Sequence, residues 1–157
     1  MLLCFLVLFL FFPSCHRAAA SEAGELSEVL LRVQNALGGK ELFITADSDF
    51  VETNLGNPDY LEDAVVCLGE NGEAREFGVF HLRDRRKASE LKETLRGYLK
   101  SEAEMLSSLA SLYPAEELET RLALYNNATV GGEGMLVWYF VLNDSDTEKA
   151  LGALTKR

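Results

Sequence analysis

Side chains that commonly carry chemistry are scarce in this sequence. His81 and Cys67 are the only histidine and the only cysteine beyond residue 16. A zinc site needs three or four such ligands, so we expect His81 to lie at a sheet edge or a helix interface instead. Cys67 falls in an apolar segment, where a thiol is buried and unreactive. We therefore predict no catalytic residue, no metal site and no cofactor.

Oxygen ligands cluster in one acidic segment, which contains Asp47, Ser48, Asp49, Glu52 and Asn54. A calcium-binding loop of the EF-hand type requires a glycine at its sixth position, and Glu52 stands there. Capping of a short helix accounts for the first three residues without a metal ion. We therefore expect a helix start at this segment.

Four basic residues fall within five positions of an acidic chain: Arg83, Arg85, Arg86 and Lys87. Positive charge at the start of a helix opposes the helix dipole. This mismatch keeps the run as a candidate anion-contact site for phosphate groups of lipids or wall polymers. The alternative is a solvated helix entry that forms ion pairs with Glu90 and nearby acids.

Three consecutive aromatic residues, Trp138, Tyr139 and Phe140, would form a binding platform if they were exposed. In a β-strand, alternation sends Trp138 and Phe140 to one face and Tyr139 to the other. We expect at least one of these faces to pack in the core.

The charge of the chain limits its partners. Over 157 residues the formal net charge is −10. A nucleic-acid surface needs clustered excess positive charge, so we predict no nucleic-acid partner. The same acidity disfavours a broad electrostatic contact with anionic lipid.

The N-terminus carries an apolar run, residues 2–12, which stops at Pro13-Ser14-Cys15. At 1.5 Å per residue this run is too short to cross a bilayer core of about 30 Å, and its length is typical of a signal peptide. Ser14-Cys15 resembles the end of a bacterial lipobox, although Phe12 and Pro13 depart from the usual residues. We therefore favour a lipoprotein signal over residues 1–14, with lipidation, such as palmitate, at Cys15.

Two other outcomes at the N-terminus stay open. Ala18-Ala19-Ala20 before Ser21 is a good site for ordinary secretory cleavage, which would leave a secreted protein. An uncleaved membrane anchor is the remaining alternative. In either lipid-anchored or secreted form, residues 15–25 are small and polar and indicate a tether. Residues 26–157 then form a single domain of ordinary size.

Hydrophobic periodicity predicts the element order α-β-β-β-α-β-β-α for this domain. A first helix ends at Gly38-Gly39, and a long helix from about residue 84 ends before Pro114. Asn71-Gly72 predicts a type I′ turn between two strands. A single helical turn at residues 115–119 should lead into a strand at 121–130, and Ser145 with Glu148 forms a capping box for the last helix.

Two hairpin connections indicate antiparallel pairing, since a parallel sheet would need crossovers. The predicted fold class is α+β, an antiparallel sheet of about five strands with one long and two shorter helices packed against it.

Four features in this order resemble a bacterial family of unknown function. They are the exported N-terminus, the strand motif Glu-Phe-Gly-Val-Phe at residues 76–80, the long charged helix after it, and Tyr-Pro-Ala-Glu-Glu at residues 113–117 before a closing hairpin. On these motifs the chain is similar to domain-of-unknown-function family 4358, small lipoproteins of Gram-positive anaerobes. The resemblance implies a bacterial protein at the extracytoplasmic face of the cell membrane. That family has no established activity, so no catalytic residue is implied.

The sequence therefore favours a lipid-anchored domain with a non-catalytic binding role at the cell surface. Its partner would be a protein or a small molecule, besides the membrane that holds the lipid. The alternative function is an exported enzyme of unrecognised type that acts on cell-wall or peptide substrates. A structural spacer is a third possibility.

Overall fold

The computed structural model describes residues 19–56 and 58–155, which form a sheet covered by helices on both faces. The helices are α1 (Ala19–Ala36), α2 (Ser48–Leu55), α3 (Ala88–Ser108), α4 (Ala115–Asn126) and α5 (Asp144–Thr155). The strands are β1 (Phe43–Thr45), β2 (Leu61–Gly69), β3 (Glu76–Leu82), β4 (Thr129–Glu133) and β5 (Leu136–Val141). Within this part of the chain, no helix combines the length and the hydropathy that a membrane span requires.

The strands form one sheet in the order β1-β2-β3-β5-β4, and every neighbouring pair is antiparallel. β1, β2 and β3 follow each other as a meander, whereas α3 and α4 separate β3 from the β4–β5 hairpin. β5 inserts beside β3 and leaves β4 at the edge. The predicted α+β class and the antiparallel sheet of about five strands are confirmed.

Side-chain alternation divides the core into two clusters, one on each face of the sheet. Phe77 and Val79 of β3 face α1 and α5, together with Trp138 and Phe140 of β5. Phe80 of β3 and Tyr139 of β5 face the other way, toward α3. The opposite orientation of Trp138 and Tyr139 is confirmed, and both faces are buried because both carry helices.

The glycine-containing turns lie where the sequence predicts them. Asn71 and Gly72 both have positive φ, 59° and 76°, and the Glu73 N–H donates to the Glu70 carbonyl at 3.3 Å. This geometry is the predicted type I′ turn, set inside a longer loop between β2 and β3. Gly38 and Gly39 also have positive φ where α1 ends. Both glycine-dependent predictions are confirmed.

The segment after Pro114 differs from its prediction. Residues predicted as one helical turn and a strand form the whole of α4, and the strand is confined to β4. The segment is rich in glutamate, leucine, alanine and arginine, which are strong helix formers, and the Glu117–Arg121 ion pair at 3.0 Å spans one helical turn. β-branched residues appear together only at Thr129-Val130, where β4 begins.

The start points of the first and last helices also differ from their predictions. α1 begins at Ala19 and so includes the second half of the predicted tether. At α5 the cap is Asn143, not Ser145, because the Asn143 Oδ1 accepts the Asp146 N–H at 2.9 Å. Asparagine is as good a capping residue as serine, so the first favourable position starts the helix.

A pair of glycine substitutions tests the packing of the two long central elements. Gly97 is exposed in α3 with open space around it, so Gly97→Ala should raise the free energy of unfolding by about 0.5–1 kcal/mol through helix propensity. Gly78 is buried in β3, and a methyl group there would lie 2.8 Å from Phe80 and closer still to the Tyr139 ring. Gly78→Ala should therefore lower the free energy of unfolding by about 1–3 kcal/mol.

Urea titration of both variants with the wild type as reference measures these changes. If the slope of the free energy of unfolding against urea concentration is unchanged, the substitutions alter stability and not the surface exposed on unfolding. Equal stabilisation by the two substitutions would contradict the close packing of β3 against β5.

Candidate functional site

The predicted basic run lies at the entry to α3, and two of its four residues form ion pairs with nearby acidic side chains. Arg86 forms a bidentate contact with Asp84, with an Nη2–Oδ2 distance of 2.8 Å, and these hydrogen bonds lower the pKa of Asp84 to about 2. Lys87 pairs with Glu90 at 2.7 Å. These are the ion pairs of the alternative interpretation, and the anion-contact role of the run stays a prediction.

The remaining basic residues of the run have no carboxylate partner among the described residues. The Arg83 guanidinium donates to the Asp59 carbonyl at 3.2 Å. Arg85 is exposed and forms no ion pair within the same part of the chain. An anion at this surface would therefore contact Arg83 and Arg85 rather than all four residues.

The acidic segment and the cysteine have structural roles. Asp47 caps α2 by accepting the Phe50 N–H at 3.2 Å, as predicted. Among the described residues, no group of three or more histidine, cysteine or acidic side chains is placed to hold a metal ion. Cys67 is fully buried, which raises the pKa of its thiol, and Gln34 Nε2 donates to its Sγ at 3.6 Å.

The sequence did not reveal a buried carboxylate, Glu76, at the start of β3. Its side chain is 4% exposed and lies on the face of the sheet that packs against α3. Three tyrosine hydroxyls donate to it: Tyr98 to Oε1 at 2.8 Å, Tyr125 to Oε2 at 3.0 Å, and Tyr139 to Oε1. We call these four residues the Glu76 cluster.

Opposing effects act on the ionisation of the Glu76 cluster. Burial raises the pKa of Glu76, and the three hydroxyl donors lower it but do not cancel the effect. Burial and the neighbouring carboxylate raise the pKa of all three tyrosines. Because the tyrosines stay protonated, they remain donors, and the carboxylate is satisfied on both oxygens. The only sequence signal for this cluster is an acid at an inward position of an otherwise apolar strand.

A cleft of about 350 Å³ lies on the other face of the sheet, where α1 and the end of α5 meet the β4–β5 hairpin. We call it the α1–α5 cleft. The residues that line it include apolar, basic, acidic and aromatic side chains: Val29, Arg32, His81, Glu133, Trp138 and Leu154. The sequence predicted His81 at a sheet edge or a helix interface and core packing of at least one face of the strand that carries Trp138. Nothing in the sequence placed these two residues beside Arg32.

Two residues that line the α1–α5 cleft each carry a buried nitrogen atom without a hydrogen-bond partner among the described residues. The two atoms are Nδ1 of His81 and Nε1 of Trp138, and they are the only such side-chain atoms found among the described residues. His81 Nδ1 lies 3.5 Å from Oε2 of Glu62, which is the limit of hydrogen-bond distance. Buried polar groups in native proteins nearly always have a partner, so each exception needs an explanation.

The position of Trp138 depends on the glycine opposite it. Gly131 of β4 pairs with Trp138 of β5, and a methyl group at Gly131 would lie 2.7 Å from Nε1. Because Gly131 has no side chain, the indole of Trp138 can pack over the edge strand β4. The indole side chain is thereby placed at the wall of the cleft with its residue 9% exposed.

Comparison with known proteins gives no matching family model, no similar curated protein and no similar solved structure. The resemblance to domain-of-unknown-function family 4358 therefore remains a prediction from the sequence motifs.

The raised pKa of Glu76 predicts how stability depends on pH. A carboxyl group with a higher pKa in the folded state contributes stability that is complete below the unfolded pKa of about 4.3. That contribution is lost as the pH rises through the folded pKa. Glu76→Gln keeps an acceptor for Tyr98 and Tyr139 and has no charge. As the pH rises through the folded pKa of Glu76, the wild type loses stability and the variant does not. The free energy of unfolding of the variant should therefore rise relative to that of the wild type. Chemical denaturation at a series of pH values measures the difference.

Glu104→Gln is the matched control, because it removes an exposed carboxylate whose distance to Lys100 is 3.7 Å. Its difference from the wild type should stay small and vary little over the same pH range. A constant difference between Glu76→Gln and the wild type would show that the carboxyl group titrates alike in both states.

Proposed function

We propose that this chain is a non-catalytic binding domain, held at the extracytoplasmic face of a bacterial cell membrane by a lipid on Cys15, and that it binds a small molecule in the α1–α5 cleft. The anchor rests on the apolar run and Ser14-Cys15 of the sequence, which lie outside the described residues. The binding role rests on the cleft.

The coincidence of unpaired atoms and cavity carries the binding proposal. The unpartnered nitrogens of His81 and Trp138 belong to residues that line the same cleft, although they come from different strands. An unpaired buried donor costs about 1–3 kcal/mol, which a ligand atom can offset. At about 350 Å³ the cleft lies at the small end of the range for ligand pockets.

The enzyme alternative would be favoured by two carboxylates that share an accessible cavity. Glu76 has the raised pKa that catalytic acids often show. However, tyrosine hydroxyls occupy both of its oxygens and its residue is 4% exposed, so a substrate cannot reach it. The Glu76 cluster therefore supports a structural role more strongly than a catalytic one.

A protein partner that docks on one large apolar patch has less support than a small ligand. The exposed large apolar side chains include Leu31 on α1 and Met105 on α3. These two helices cover opposite faces of the sheet. The exposed apolar area is therefore divided between two sides of the domain, and a stable interface needs one continuous area.

Substitution of the predicted lipid site tests the anchoring. In the native host, Cys15→Ala should move the protein from the membrane fraction to the soluble fraction or leave an unprocessed precursor, because the acceptor thiol is lost. Cys4→Ala, which changes the other cysteine near the N-terminus, is the control and should stay with the membrane. A mature N-terminus at Ser21 without lipid, found by mass spectrometry, would contradict this proposal.

The single tryptophan of the chain makes the binding role directly measurable. Only Trp138 contributes an indole N–H signal to a nitrogen–proton correlation spectrum. We expect at least one class among small carboxylates, amines, neutral amides and sugars to shift this signal in a saturable way. Failure of every class to do so would refute small-molecule binding in the α1–α5 cleft.

A further inference from the structure

We propose that the α1–α5 cleft takes a small organic carboxylate, a single negative charge on an aliphatic body, with Arg32 as its anchor. This inference rests on the proposed function, because it names the class of molecule that the same cleft would bind. The reasons are the guanidinium groups without a described partner, the donors on residues that line the cavity, and the nature of its walls.

Arg32 is held by the end of α5 and keeps most of its hydrogen-bonding capacity. Its Nε donates to the Ala153 carbonyl at 3.3 Å, which ties the guanidinium to the opposite helix. Its two Nη groups form no ion pair or hydrogen bond with the described residues. A guanidinium fork presents parallel donors that match the two oxygens of a carboxylate. Arg32 therefore offers a preorganised site for an acid.

Acidic residues outnumber basic residues in this chain, 25 to 15. Arg86 and Lys87 each pair with an acid within one helical turn, whereas Arg83 and Arg85 have no acidic partner among the described residues. Arg32 lies where no described acidic side chain pairs with it. A carboxylate ligand would supply the partner that the described residues do not.

Two of the other side chains that line the cleft, His81 and Trp138, offer hydrogen-bond donors. Trp138 Nε1 can only donate, and its hydrogen has no acceptor among the described residues. The His81 ring can donate through one nitrogen while Glu62 faces the other. Glu133, at the end of β4, is the one acidic side chain that lines the cleft, and it is exposed to water. Water screens its repulsion of a bound anion.

The walls and the net charge limit what kind of anion fits. Val29, Leu136 and Leu154 supply aliphatic surface, which favours an apolar body over a sugar or a bare inorganic ion. A net charge of −10 repels polyanions more strongly than a monoanion, because the repulsion grows with the charge of the ligand. A short-chain carboxylic acid satisfies both limits.

The test compares ligands that share one carbon skeleton. Butyrate, butyramide and butylammonium are titrated at constant salt into the full-length protein, and the indole N–H signal of Trp138 is followed. We expect a saturable shift with butyrate and at least about tenfold weaker binding of the amide and the amine, since only the acid pairs with Arg32.

Three variants and one control show which charges determine butyrate binding. Arg32→Met should weaken butyrate binding by about tenfold or more, and Arg32→Lys should retain only part of the affinity because it keeps the charge without the fork. Glu133→Gln should strengthen binding modestly, because it removes a repulsive charge. Arg96→Met, which removes an exposed arginine of α3 on the other face of the sheet, should leave the affinity unchanged. Thermal unfolding of each variant separates loss of binding from loss of fold.

The outcomes distinguish this inference from the proposed function. Tighter binding of butylammonium than of butyrate, with loss on Glu133→Gln, would refute the carboxylate but keep ligand binding in the cleft. Equal binding of butyrate and butyramide, unaffected by Arg32→Met, would also refute it and would indicate an uncharged ligand. Absence of any shift with all three probes would refute the carboxylate, and the same absence across the broader compound classes would refute the proposed function as well.

Discussion

The carboxylate of Glu76 ties the helices α3 and α4 to β3 and β5, two strands that already pair in the sheet. It extends from β3 and accepts hydrogen bonds from the hydroxyl groups of Tyr98 on α3, Tyr125 on α4 and Tyr139 on β5. A buried charge that loses its partners costs several kcal/mol, so the helices must lie where all three hydroxyls reach the carboxylate. α4 depends on this most, because none of its residues is fully buried. Besides Tyr125, its polar link to the sheet side is Arg121, which donates to the Gly72 carbonyl at 2.7 Å.

The same strand carries a second polar residue with the opposite character. Glu76 and His81 stand near the two ends of β3, and their odd separation places them on opposite faces of the sheet. Glu76 is satisfied on both oxygens by the chain itself, whereas His81 Nδ1 has no hydrogen-bond partner. A closed network indicates a structural role, and an open one beside a cavity indicates a binding role. This contrast is why we place the proposed ligand at the His81 end of the strand.

Local signals in the sequence were sufficient for the fold class but not for either polar site. Asn71-Gly72 and Gly38-Gly39 fix turns through positive φ, which neighbouring residues alone determine. The Glu76 cluster joins residues that are 22, 49 and 63 positions apart, so no local pattern contains it. The α1–α5 cleft likewise combines parts of both terminal helices with three strands and a hairpin. The predicted strand at residues 121–130 was wrong for a local reason, because residues 121–126 are mostly strong helix formers and belong to α4.

The position of the cleft along α1 connects the proposed ligand with the proposed anchor. Arg32 lies 13 residues after Ala19, where α1 begins, which is about 20 Å along a helix at 1.5 Å per residue. If a lipid on Cys15 holds the chain, only a few residues separate the membrane from the start of that helix. A rigid helix would then keep the cleft within a short, defined distance of the lipid surface. At such a distance, a small acid would reach the cleft more easily than a wall polymer or a large protein. An anchor on Cys15 would therefore agree with the class of ligand that we propose from Arg32.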